Sequence, residues 1–165
     1  MQTMQLVLRR GKTTWDRGLL PEDEFVVRTA ALRSVMKELD LEACIIVGGG
    51  DAYSNLTYFT NFIPLHHWVT GVIPRVGDPT LIAGLGGSRE FPFYRTLTWV
   101  QDLQWHRSHA QGVLEILQQR GISGGRLGVA GLDEAIPLAV AREFDVLRTQ
   151  FELVDVTEDI EALRA

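Results

Sequence analysis

The sequence predicts an α/β domain, a mixed sheet of about five to six strands with helices on both faces. Three observations predict it. Segments whose apolar residues recur at helical spacing alternate along the chain with short continuous apolar runs, as expected of helices layered on a sheet. Two of those runs, Val69–Pro74 and Thr80–Ala83, are separated only by Arg75-Val76-Gly77-Asp78, so one strand pair is an antiparallel hairpin. The chain has 165 residues, 45% hydrophobic and 22% charged, which is the size and balance of one globular domain.

The elements follow in order. Residues Met1 to about Leu20 show little periodicity and read as an extended arm. Glu22-Asp23-Glu24 opens a helix, because acidic side chains in a first turn complement the helix dipole. Phe25, Thr29, Leu32, Met36 and Leu39 then give that helix one apolar face. Ala43–Val47 is a continuous apolar run and reads as a buried strand, broken by Gly48-Gly49-Gly50-Asp51. Asp51–Phe62 carries a short helix, with Pro64 limiting its continuation. After the hairpin, Gly84–Tyr94 fits no single pattern. Thr96–Val100 alternates and reads as a strand with Leu97 and Trp99 on one face. Ala110, Val113, Leu114 and Leu117 mark a helix over Ala110–Arg120, and Gly121 stands where a helix-ending glycine belongs. Arg126–Ala130 is a strand. Asp133 is placed to cap a helix over Asp133–Leu147 carrying Ile136, Val140, Phe144 and Leu147. Phe151–Val156 is the last strand, and Thr157–Ala165 starts another helix. The expected organisation is an arm over 1–24, the domain proper over 25–156 and a linker helix starting at 157–165.

Composition excludes several classes. Net charge is −5 and the pI about 5.3, which argues against a nucleic-acid backbone as partner, since such binding rests on concentrated positive charge. No apolar stretch approaches the roughly 20 residues of a membrane span. The N-terminal residues lack the order of a signal peptide, so a cytoplasmic location is expected. The single cysteine, Cys44, sits inside the apolar run Ala43–Val47 and reads as a small buried hydrophobe.

Few residues offer chemistry. Gly48-Gly49-Gly50-Asp51 and Gly84–Ser88 match no phosphate-binding glycine motif and no lysine stands near them, so both read as turns. No GxSxG elbow exists. The four histidines are His66, His67, His106 and His109; His106 and His109 flank an expected loop-to-helix junction, and with no HExxH they read as surface side chains without a metal. No catalytic residue and no metal ligand is assigned to this chain. His66-His67-Trp68 is the most distinctive cluster, on a loop or strand end just before the strand at Val69; a partly exposed loop whose Trp68 packs on the core stands equally open as its reading. Arg89, Phe91, Phe93, Tyr94 and Arg95 mix aromatics with arginines, a composition enriched at interfaces. Tyr53 and Asn55 are candidates to face a cleft, a turn-forming role for Asn55 standing equally open.

Five phrases in succession carry a resemblance: RTAALRSVMKELDLEACIIV (Arg28–Val47), DAYSNLTYFTNF (Asp51–Phe62), VIPRVGDPTLIAG (Val72–Gly84), GRLGVAG (Gly125–Gly131) and FELVDVTEDIEALRA (Phe151–Ala165). In order and spacing they resemble the N-terminal domain of creatinases, prolidases and Xaa-Pro aminopeptidases. The resemblance implies a ribonuclease H-like α/β fold. It also implies a following C-terminal domain of pita-bread fold, which in such enzymes holds two divalent metal ions and hydrolyses a bond next to proline or, in creatinase, a C–N bond of a guanidino compound. On that reading this chain holds no cofactor itself, and its partners are its own catalytic domain, a second copy in a homodimer, and a proline-containing peptide or small guanidino or amide substrate. The resemblance further implies that the loop bearing His66, His67 and Trp68 reaches toward the neighbouring subunit's active site, with Tyr53 nearby.

Two functions remain in view: the non-catalytic half of a metallohydrolase, and a stand-alone module binding a small molecule or a protein. Thr157–Ala165 opens an amphipathic helix without a stop signal, so the first reading expects the natural chain to continue.

Overall fold

The computed structural model describes residues 15–50, 52–64, 67–83, 87–132 and 136–165. Helix α1 (Glu22–Glu38) leads into strand β1 (Ala43–Gly48), then α2 (Ser54–Thr60), β2 (Val69–Pro74) and β3 (Thr80–Ile82). A 3-10 turn over Gly87–Glu90 runs into α3 (Phe91–Tyr94), followed by β4 (Asp102–Gln104), α4 (His109–Gln119) and β5 (Gly125–Ala130). Helix α5 (Leu138–Glu143) tightens into a 3-10 segment over Phe144–Thr149 before β6 (Phe151–Asp155) and α6 (Thr157–Ala162). The six strands form one mixed sheet in the order β4-β3-β2-β1-β5-β6. β1 pairs antiparallel with β2 and parallel with β5, and β3 pairs parallel with β4.

Central β1 is buried at every position because helices cover both sides. Its side chains alternate: Cys44 and Ile46 join one core with Leu32 and Met36 of α1, Leu56 and Phe59 of α2, and Ile160 of α6. Ala43, Ile45 and Val47 join the other with Val113, Ile116 and Leu117 of α4, and Val140 of α5. Cys44 is fully buried, which pushes its thiol up to about 12 and keeps it inert.

The hairpin forms where the sequence places it, with Gly77 at φ 101°. Arginines hold its carbonyls: Arg33 donates to Pro74 O and Gly77 O, and Arg120 Nη1 to Asp78 O at 2.7 Å. Gly121 ends α4 in the left-handed region at φ 73°.

Three expectations need correction. Thr96–Val100 is not a strand, and the edge strand is β4 at Asp102–Gln104. Side chains of the Thr96–Val100 segment instead satisfy the last carbonyls of α2, which no intrahelical donor can reach. Thr98 Oγ1 donates to Thr60 O, and Trp99 Nε1 to Phe59 O at 2.8 Å. The helix expected over Asp133–Leu147 is regular only over Leu138–Glu143, with Pro137 at its N-cap position; the Asp133 cap lies outside the described residues. The arm is turned, not extended, at Arg17–Leu19, where Trp15 Nε1 donates to Leu20 O at 2.6 Å and the indole meets Phe25 edge-on at 5.7 Å. The remainder of the arm, 1–14, lies outside the described residues.

Candidate functional site

Three of the sequence-predicted residues, Tyr53, His67 and Trp68, lie near the carboxyl end of β1. The chain leaves β1 at Gly48 and folds back through a bridge between Gly49 and Ala52, each amide donating to the other's carbonyl at 3.2 and 2.9 Å. Gly50 makes the reversal with φ 53°. Tyr53 then takes the N-cap position of α2, half-buried. Because Gly48 is in register with Val69, residues 67 and 68 of the incoming strand lie beside this turn.

Trp68 packs against the core on the α4 side of the sheet and lies against Gly49. A Cβ on Gly49 would stand 2.7 Å from Trp68 Cδ2 and 2.8 Å from Cε3, so only glycine leaves room for the ring. His67 is half-buried beside it, while His66 lies outside the described residues. The structure therefore brings Tyr53, His67 and Trp68 to one end of the sheet.

The arginine–aromatic cluster divides. Phe91 and Tyr94 are half-buried and pack against the core, Tyr94 meeting Phe62 edge-on at 5.0 Å. Tyr94 donates to Glu90 Oε2, and its phenol is held well above its ordinary value, first by burial and then by that carboxylate. Arg89, Phe93 and Arg95 face solvent, Phe93 being 43% exposed.

The histidines at the loop-to-helix junction are not the surface side chains the sequence suggested. His106 is only 15% exposed and packs on α4 at Gly112, with Nε2 3.1 Å from Gln104 Oε1 and Nδ1 3.5 Å from Glu115. His109 opens α4 and shares a 2.6 Å hydrogen bond between its Nδ1 and Thr70 Oγ1 of β2. Its amide and the Ser108 hydroxyl both donate to Glu143 Oε2 of α5, at 2.8 and 2.7 Å. This junction ties the start of β2, just past Trp68, to two helices. Sequence reading missed it because Thr70 and His109 are 39 positions apart.

Burial lowers the His109 pKa from 6.5, and the charge of Glu143 opposes that shift only in part. The unfolded chain therefore binds this proton more readily than the folded one. The imidazole's contribution is complete above about 6.5 and is lost as pH falls below it. Urea midpoints are expected to drop between pH 7.5 and 5.5, and to drop less in His109→Gln.

Two open hollows flank this junction, the larger about 540 Å³ and bounded by Trp105, Arg107, Gln111 and Glu115 among others. A third, of about 270 Å³, lies between α2 and α6 over the ends of β1 and β5. Among the described residues, no three His, Cys, Asp or Glu side chains come together to hold a metal ion. No helix among the described residues is long and apolar enough to cross a membrane.

The phrases singled out in the sequence lie on the strands and helices of a mixed sheet of six strands, within the number expected. Residues 28–165 match the family model described as Creatinase/Prolidase N-terminal domain. The chain belongs to this family.

Solved peptidase structures share the fold. A Xaa-Pro aminopeptidase from Streptococcus pyogenes superimposes with a TM-score of 0.65 at 19% identity, covering 86% of this chain and 98% of that one. The N-terminal domain of the cytoplasmic peptidase PepQ from Mycobacterium tuberculosis H37Rv gives 0.64 at 15% identity, over 83% of this chain and 98% of that one. A Xaa-Pro dipeptidase from Bacillus anthracis gives 0.60 at 12% identity over 81% of this chain, which spans only 34% of that longer one. No curated protein matches the chain in sequence.

Proposed function

We propose that this domain is the non-catalytic N-terminal part of a Xaa-Pro peptidase- or creatinase-like hydrolase of the cytoplasm, in which it supports dimerisation and shapes the substrate entrance. The observation that carries the proposal is the family match over residues 28–165. The domain's partner is its own C-terminal catalytic domain, which would hold the two divalent metal ions. The substrate is a proline-containing peptide or a small guanidino or amide compound.

The chain's own contribution follows from its side chains. Trp68, held against Gly49, offers a flat apolar wall. His67 and Tyr53 offer polar groups at the same sheet end, suited to a substrate carboxylate or carbonyl. His66 belongs to the same loop by sequence. Arg89, Phe93 and Arg95 present an exposed surface suited to the subunit or domain contact, with Phe91 and Tyr94 supporting it from beneath.

The test joins this chain to the C-terminal pita-bread catalytic domain that the proposal requires. The 165-residue chain alone is expected to release no proline from Xaa-Pro dipeptides with added manganese, while the joined protein does. Trp68→Ala in the joined protein is expected to lower kcat/KM about tenfold or more, with the dimer intact by sedimentation. Dipeptide hydrolysis by the isolated chain, or an unchanged kcat/KM in Trp68→Ala, would overturn the assignment.

A further inference from the structure

We propose that the cavity between α2 and α6 is a binding site for a free α-amino acid, held through both of its charges. Its place in the fold is the first argument. β1 and β5 are parallel neighbours, in register from Ala43↔Leu127 to Ile46↔Ala130. The connection leaving β1 goes to α2 on one face of the sheet, and the connection leaving β5 goes to α5 on the other. The strand ends therefore part and leave a crevice at their carboxyl edge, where ligands of open α/β sheets collect. The 270 Å³ cavity occupies this crevice.

The lining is the second argument. Ser54 and Asn55 come from α2, Gly131 follows β5, and Thr157, Glu161 and Arg164 come from α6 and its end. The floor is already satisfied: Gly131 N–H donates to Thr157 Oγ1 at 2.6 Å, and Thr157 Oγ1 donates in turn to Asp155. The charged groups above it are not paired with each other. Arg164 Nη1 donates to Asn55 Oδ1 at 2.6 Å, which turns the guanidinium across the opening. The side chains of Glu161 and Ser54 make no hydrogen bond or ion pair among the described residues. Glu161 and Arg164 are three positions apart on one turn, where Cβ atoms lie about 5–6 Å from each other.

A cavity that offers one cation and one carboxylate, not paired with each other, fits a ligand carrying both opposite charges on groups attached to one carbon. The ligand carboxylate meets the free N–H groups of Arg164 in a charge-assisted bond. Its ammonium meets Glu161, and Ser54 supplies a neutral partner. Val47, Ala52 and Ala130 leave a small apolar wall for a short side chain. The inference does not depend on the peptidase reading, since it concerns only this chain's own residues.

The ¹⁵N-labelled chain titrated with L-alanine, acetate, ethylammonium and glycylglycine tests it. L-Alanine is expected to give saturable shifts confined to the amides of Ser54, Asn55, Gly131 and Thr157, with at least tenfold weaker binding of the other three probes. Glu161→Gln and Arg164→Gln are each expected to weaken L-alanine about tenfold while leaving the remaining spectrum unchanged, with Arg164→Lys intermediate. No saturable shift with L-alanine in the wild-type chain overturns the proposal. Acetate or glycylglycine binding as tightly as L-alanine overturns it as well, as does an undiminished affinity in Glu161→Gln.

Discussion

Replacing Phe59 by alanine is expected to destabilise the domain by about 3–5 kcal/mol, the range for removing a buried ring. Phe59 is fully buried in the core under α2, and its ring meets Tyr58 edge-on with centroids 4.9 Å apart. Its backbone carbonyl accepts from Trp99 Nε1, a bond that the substitution leaves in place. What is lost is the burial of the ring and its dispersion contacts, and the close-packed surroundings collapse only in part. Against a total stability of about 5–15 kcal/mol, this brings the domain near its threshold. Urea denaturation reads the change as a lower midpoint with a similar slope. Val76→Ala at a position 83% exposed is the matched control and is expected to stay within about 0.5 kcal/mol. A loss below about 1 kcal/mol for Phe59→Ala would mean that α2 does not pack as described.

The layered fold was legible because its signals are local. The apolar positions Phe25, Leu32 and Met36 repeat at helical spacing, and all three are buried on the same side of α1. Ala43–Val47 reads as an apolar run because both faces of β1 are covered. Where the reading failed, residues were serving a distant partner. Thr96–Val100 alternates as a strand would, yet Thr98 and Trp99 direct their polar atoms to carbonyls of α2, 38 and 40 positions away. The real edge strand β4 has three residues, Asp102 and Gln104 flanking one buried Leu103, too short for a period to show. At Ile136, Val140, Phe144 and Leu147 the face was read correctly, for all four pack on one core. The backbone differs because Pro137 delays the helix and the chain tightens to 3-10 geometry from Phe144.

The candidate residues could be picked out by type but their arrangement could not. His67, Trp68 and Tyr53 stood out as reactive or aromatic side chains near a strand end, and they do share one end of the sheet. That Gly49 lies against Trp68 was hidden, because glycine next to glycine after a strand reads first as a turn. Gly50 does make the turn, with φ 53° and open space for 4 Å around the point where a Cβ would stand. Gly49 has a different reason to be glycine. The amphipathic cavity over β1 and β5 was hidden for the same cause as the His109 junction, since Asn55 and Arg164 are 109 positions apart.

These two adjacent glycines give the second large effect. Gly49→Val is expected to displace the Trp68 ring and to destabilise the domain by about 1–3 kcal/mol, the range for overpacking a tight site. Its Cβ would lie 2.7 Å from Trp68 Cδ2 and 3.1 Å from Trp68 Cα, so ring rotation alone does not relieve the overlap. Backbone at Trp68 has to move as well, and the start of β2 with it. Gly50→Ala meets no neighbour and incurs only the left-handed backbone penalty of about 1–2 kcal/mol. The two substitutions can therefore resemble each other in stability and still differ at the indole. Acrylamide quenching of Trp68, isolated by subtracting the Trp68→Phe spectrum in each background, separates them. Quenching is expected to rise in Gly49→Val and to stay at the wild-type level in Gly50→Ala. Equal quenching in both would show that Trp68 is held by the turn as a whole, and the flat wall ascribed to the Gly49 contact would lose its physical basis.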